Sequence, residues 1–168
     1  MKHFVPVNTP LFVGNEKKYL EECIDSGWVS SDGAFVKRFE DAFAESVSRD
    51  VGIAVSNGTA AIDIAIKALE ISEGDEVIIP TFTIISCMRQ ILLSGAVPIF
   101  VDCNPDTWNM NVNEIEPRIT SKTKAIMMVH IYGLPVDVDP ILRIAKKYNL
   151  KIIEDAAEMH GQTYNGRQ

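Results

Sequence analysis

Cysteine, clustered positive charge and long apolar runs are all scarce in this chain of 168 residues. Cys23, Cys87 and Cys103 form no CxxC pair, have no zinc-ligand spacing and are odd in number. That pattern excludes a disulfide framework, and the apolar neighbours point to buried, reduced thiols. No run of Lys or Arg exceeds two, and 16 basic against 23 acidic residues give a net charge of −7. A basic face for nucleic acid is therefore absent from the pattern, as is one for an anionic membrane. No segment approaches the ~20 apolar residues of a membrane span. Met1–Phe12 has no continuous apolar core of the kind a secretion signal needs. A soluble, cytoplasmic protein is expected. Two nucleotide signatures are missing as well: there is no GxGxxG fingerprint and no Gly-Lys-Ser/Thr loop.

What the chain does have is ordinary globular composition, 46% apolar and 23% charged, and an alternation of short β-branched runs with amphipathic stretches. Strands are expected near Gly52–Val55, Glu76–Ile79, Pro98–Val101, Ala125–Val129 and Lys151–Glu154. Most are apolar throughout, as suits strands covered on both faces. Helices are expected at Glu16–Ser26, Phe35–Ser48, Thr59–Glu70, Ile84–Ser94, Val112–Arg118 and Asp139–Tyr148. Phe35, Phe39, Ala42 and Phe43 recur at helical spacing and read as core. Asn113, ahead of Glu116 and Pro117, reads as a helix start. The expected fold is α/β, with a three-layer, mostly parallel sheet flanked by helices. Residues 1–34 read as an N-terminal arm with a helix, 35–168 as one incomplete domain, and no linker shows inside residues 50–168.

Polar turns follow several of the expected strands. Ser56-Asn57-Gly58-Thr59 leads into a helix whose first turn leaves N–H groups unpaired, so it suits a phosphate; it equally reads as a helix capped by Ser56 or Asn57. Asp155 falls at the carboxyl end of a strand, where open α/β sheets bind ligands. It could hold a cationic group beside the small residues Ala156 and Ala157, or cap the next turn. Asp155, Glu158 and His160 do not have a zinc spacing. Pro80-Thr81-Phe82-Thr83-Ile84-Ile85-Ser86-Cys87, which offers hydroxyls and an aromatic or equally reads as a turn before a buried helix, and Val129-His130-Ile131-Tyr132-Gly133-Leu134-Pro135 follow two further strands, with His130 reading chiefly as a core histidine. The joint placement of four such turns suggests one ligand-binding face.

Together these residues resemble the DegT/DnrJ/EryC1/StrS sugar-nucleotide aminotransferases. The resemblance is carried by Ser26-Gly27-Trp28-Val29-Ser30-Ser31 with Phe39-Glu40, by Ser56–Ala61, by Pro80–Thr83, by His130–Gly133 with Asp137 and Asp139, and by Glu154–Glu158 with His160-Gly161. It implies the large domain of a type I pyridoxal phosphate (PLP)-dependent transferase. Gly58 and Thr59 would bind the PLP phosphate, Asp155 the pyridine nitrogen, and Glu158 would lie near the 3-oxygen. Ile84 stands where many members have an aromatic residue over the ring and would cover it by apolar contact alone. Trp28, Ser30 and Ser31 would touch substrate. Glu158, where many members have Gln, resembles the perosamine-synthase branch, which aminates a GDP-linked 4-keto-6-deoxy sugar. The implied reaction moves an amino group from an amino acid, glutamate by resemblance, to a nucleotide-linked keto sugar within a homodimer. The resemblance puts the Schiff-base lysine and the C-terminal small domain beyond Gln168, so no catalytic residue is expected in 1–168 and these residues alone are expected to be inactive. A non-catalytic relative and a PLP-dependent sugar dehydratase are the alternatives.

Overall fold

A computed structural model describes residues 4–6 and 8–168. Of the expected 1–34 arm, residues 1–3 and 7 lie outside the described residues. The chain divides into two compact units, one ending at Ala54 and the other beginning at Val55.

The first unit holds helices α1 (Glu16–Ser26) and α2 (Ala34–Ser46). Tyr19 and Phe35 meet at 5.1 Å between ring centroids, and the Arg38 guanidinium lies 4.7 Å from the Phe35 centroid. The expected strand at Gly52–Val55 forms no ladder among the described residues. Its backbone is drawn to α2 instead: Ala54 N–H donates to Glu40 Oε1 at 2.8 Å, and a Cβ on Gly52 would lie 2.4 Å from the Glu40 carbonyl oxygen. The expected aromatic core of α2 is corrected too. Phe39, Ala42 and Phe43 are exposed, and Phe35 is half-buried. Helical spacing makes an apolar stripe, but burial requires a facing surface, and among its described residues this unit has no sheet to supply one.

The second unit carries the sheet. Strands β1 (Glu76–Pro80), β2 (Val97–Val101), β3 (Thr123–Val129) and β4 (Lys151–Asp155) are all parallel, in the order β2-β1-β3-β4. Pro98, which has no N–H to give a ladder, sits on the outermost strand β2. The strand period of two sorts the side chains. Val77, Ile79, Ala125 and Met127 face helices α3 (Gly58–Ala68) and α4 (Ile85–Leu93), while Ile78, Ile126 and Met128 face α5 (Val138–Tyr148). Burial on both sides explains the continuous apolar runs, and each fully buried Ile or Val contributes roughly 1.5–3 kcal/mol. The three layers are those expected from the sequence.

Val112–Arg118 is not one α-helix. It forms two 3-10 turns, Val112–Glu114 and Glu116–Arg118. Pro117 cannot donate to a carbonyl four residues back. The cap is Asn111, whose Oδ1 accepts the Asn113 N–H at 3.2 Å, so Asn113 is the capped residue rather than the start signal.

Candidate functional site

The strand order creates the site. From β1 the chain crosses through α4 to β2 on one side, then returns to lay β3 on the other side of β1. The connections therefore part at the carboxyl ends of β1 and β3, the place where open α/β sheets leave a crevice. A cavity of about 280 Å³ occupies it. Phe82, Thr83 and Ile84 line it after β1, Val129–Tyr132 after β3, and Asp155, Ala157 and Glu158 after β4.

Asp155 ends β4 and is half-buried. Its Oδ1 accepts the Ala157 N–H at 3.1 Å, so it does cap the following turn, and its Oδ2 lies 3.3 Å from Cys87 Sγ. Its main-chain carbonyl accepts the His130 N–H at 3.2 Å, tying the ends of β3 and β4 together. A carboxylate offers about four lone-pair sites, so capacity remains on the cavity side. Cys87 is buried, and Thr83 Oγ1 donates to its sulfur at 3.4 Å. Burial pushes the thiol up to about 11, with the Asp155 charge acting in the same direction against the Thr83 hydrogen bond.

Glu158 holds the opposite wall. Its Oε2 accepts the Tyr132 N–H at 2.7 Å. Tyr132 has φ of +49°, the left-handed region that a bulky side chain rarely adopts. Its neighbour Gly133, at φ +79°, needs the freedom of glycine there, and a Cβ would stand 3.2 Å from the Glu158 carbonyl oxygen. Asn109 braces the same turn, accepting the Ile131 N–H at 3.2 Å and donating to the Leu134 carbonyl at 2.9 Å.

His130 is a satisfied core residue. It is 1% exposed, and its Nδ1 accepts the Val136 N–H at 3.1 Å. With Nδ1 as acceptor, the ring proton sits on Nε2 and faces Glu154 Oε1 at 2.9 Å.

The small-residue turn is an N-cap: Asn57 Oδ1 accepts the Ala60 N–H at 2.9 Å. Gly58 opens α3, and nothing lies within 4 Å of the place where its Cβ would be. Gly58 and Thr59 do not line the cavity. They are joined to it by α4, whose first turn reaches both ways: Ser86 Oγ lies 2.8 Å from Thr59 Oγ1, and the next residue, Cys87, meets Asp155. Ile84 caps α4 and is 61% exposed at the cavity wall. Trp28, Ser30 and Ser31 lie in the first unit, in the turn after α1. Among the described residues, no three His, Cys, Asp or Glu side chains group as a metal site, Asp155, Glu158 and His160 included. No helix among them is long and apolar enough to cross a membrane.

Asn109 and the Cys87–Asp155 contact carry no sequence signal. Asn109 is a polar residue between Trp108 and Met110, and the Cys87 contact spans 68 positions.

A parallel sheet with helices on both faces and a carboxylate at its switch point is the large-domain architecture of the type I PLP-dependent transferases. The chain belongs to the DegT/DnrJ/EryC1/StrS aminotransferase family, whose pattern matches residues 12–168. GDP-perosamine synthase of Escherichia coli O157:H7 is 50% identical over 164 residues, 98% of this chain and 45% of that protein. Among solved structures, NtdA from Bacillus subtilis with bound cofactor PMP is 39% identical with a TM-score of 0.83, covering 88% of this chain and 34% of that one. A GDP-4-keto-6-deoxymannose-3-dehydratase with a trapped PLP-glutamate geminal diamine is 27% identical with a TM-score of 0.89, covering 97% of this chain and 44% of that one. The chain thus spans less than half the length of the relatives it matches.

Proposed function

We propose that this chain is the cofactor-holding part of a PLP-dependent aminotransferase that moves an amino group from glutamate to a GDP-linked 4-keto-6-deoxy sugar. The observation that carries the reading is the Asp155 carboxylate, fixed through both oxygens at the switch-point cavity. PLP, when bound, supplies an electron sink, provided its ring nitrogen keeps a proton.

The residues present fit that group. Asp155 has acceptor capacity left on the cavity side and would hold the nitrogen proton. Ile84 would cover the ring by apolar contact. Open space before Gly58, the Gly58 and Thr59 N–H groups at the start of α3 and the Thr59 hydroxyl suit a phosphate. Glu158, with one oxygen committed to Tyr132, would turn the other toward the 3-oxygen. Trp28, Ser30 and Ser31 would contact substrate. By the family resemblance a lysine outside residues 1–168 would bind the cofactor covalently, and the working enzyme would be a homodimer. The 50% identity to a GDP-perosamine synthase supports amine transfer over the dehydratase reading, whose relative is 27% identical.

The test uses the whole protein. It should take up PLP with a visible absorption that borohydride abolishes. With glutamate it should release 2-oxoglutarate beyond one equivalent per site only when the GDP-linked keto sugar is present to take the amine. Absence of PLP uptake ends the reading. Loss of water from the sugar without amine transfer replaces it with the dehydratase.

A further inference from the structure

Thr83, Cys87 and Asp155 form a directed line. Thr83 lies three residues beyond β1, and its hydroxyl donates to Cys87 Sγ at 3.4 Å. Cys87 is in the first turn of α4, and its thiol donates to Asp155 Oδ2 at 3.3 Å. A thiol has one hydrogen and a weakly accepting sulfur. The Thr83 hydrogen occupies the accepting side, so the thiol hydrogen is left to point at the carboxylate. Cys87 is otherwise a core residue, fully buried in the cluster that contains Ile79 and Ile91. Asp155 is thereby pinned from two directions, by Ala157 N–H on Oδ1 and by the thiol on Oδ2. One bond alone would leave the carboxylate free to turn about its terminal torsion, which is broad for Asp; two bonds from different elements fix its plane.

We infer that Cys87, backed by Thr83, is a positioning residue that holds the Asp155 carboxylate in the orientation from which it meets the cofactor's ring nitrogen. This rests on the role given to Asp155 under Proposed function. The thiol gives no covalent chemistry and does not line the cavity. Its part is to supply a donor from inside an apolar core, where a fully polar residue would cost more to bury.

Three variants of the whole protein separate donation from packing. Cys87→Ser keeps a donor, Cys87→Val keeps a side chain of similar bulk without one, and Cys87→Ala keeps neither. The readouts are the PLP dissociation constant and the pH midpoint of the bound cofactor's visible absorption. A net hydrogen bond of ordinary strength corresponds to about a five-fold change in affinity. Cys87→Ala and Cys87→Val should therefore bind PLP about five-fold more weakly and shift the midpoint, while Cys87→Ser stays near wild type in both. Thr83→Val, which leaves Cys87 in place, should shift the midpoint in the same direction by less, and it carries the test if a Cys87 variant does not fold. Wild-type behaviour in Cys87→Val overturns the inference, as does a Ser variant that falls with Ala, since either assigns Cys87 to packing. Asp155→Asn is the control for the underlying reading. If it binds PLP like wild type, the role of Asp155 itself fails. If it binds weakly while the Cys87 and Thr83 variants are unchanged, only the positioning role fails.

Discussion

The turns after β3 and β4 leave adjacent strands side by side, yet they are built for opposite ends. In the turn after β3, both His130 ring nitrogens are committed, to Val136 N–H and to Glu154, and Asn109 secures Ile131 and Leu134. These bonds hold the backbone. In the turn after β4, the carboxylates of Asp155 and Glu158 accept bonds on one side and face the cavity on the other. Polar side chains whose bonds are consumed internally make scaffold; those held in place with acceptor sites left over can bind. Identical residue types would give no hint of the difference, because the difference lies in the partners.

The comparison breaks most severely at His130. His130→Ala removes a buried ring, leaves the Val136 N–H without its acceptor and opens a cavity, so urea unfolding should show a loss of about 3 kcal/mol. An unchanged midpoint would place His130 outside the scaffold. Asp155→Asn should behave in the opposite way. It keeps the shape and an acceptor for Ala157 N–H, so stability should change by less than about 1 kcal/mol, whereas PLP affinity should fall by about 10–100-fold, the range for a hydrogen bond to a charged group. Urea titration and cofactor titration of the same preparation check both halves. Between these lies Gly133→Ala. Forcing a side chain into φ +79° against the Glu158 carbonyl should cost about 1–2 kcal/mol. It should also displace Tyr132, which would appear as a changed environment of the tyrosine in near-ultraviolet circular dichroism.

The sheet was legible in the sequence because strands covered on both faces carry short apolar runs, and β1 to β4 each contain one; their ends shift by at most two residues. Gly52–Val55 has the same local character and forms no ladder, because whether a β-branched run pairs depends on a neighbour that local pattern does not contain. Phe39 and Phe43 fail for the same reason: periodicity defines a stripe, not what covers it. At the site, Asp155 and Glu158 were locatable because a strand-end rule needs only local information. The sulfur that holds Asp155 comes from 68 residues away, on an element across the sheet end. Sequence reading could assign Cys87 only to the core, and that placement is true but incomplete.

The smallest expected effect concerns that thiol. Burial first, and the Asp155 charge after it, raise the Cys87 pKa from 9.0 to about 11. The folded protein therefore keeps this proton at pH values where the unfolded chain has lost it. Between about pH 9 and 11 the unfolded state binds fewer protons, so stability falls as pH rises, and the contribution is fully present below pH 9. At pH 10 the loss attributable to Cys87 should be at most about 1 kcal/mol. Lysines titrate in the same range and blur the wild-type profile alone. The informative quantity is the difference between wild type and Cys87→Ser, which has no titrating group there. Unfolding free energies measured at pH 8 and pH 10 should drop further in wild type than in the serine variant. Parallel drops would mean that the thiol is no more protected from ionisation when folded than when unfolded.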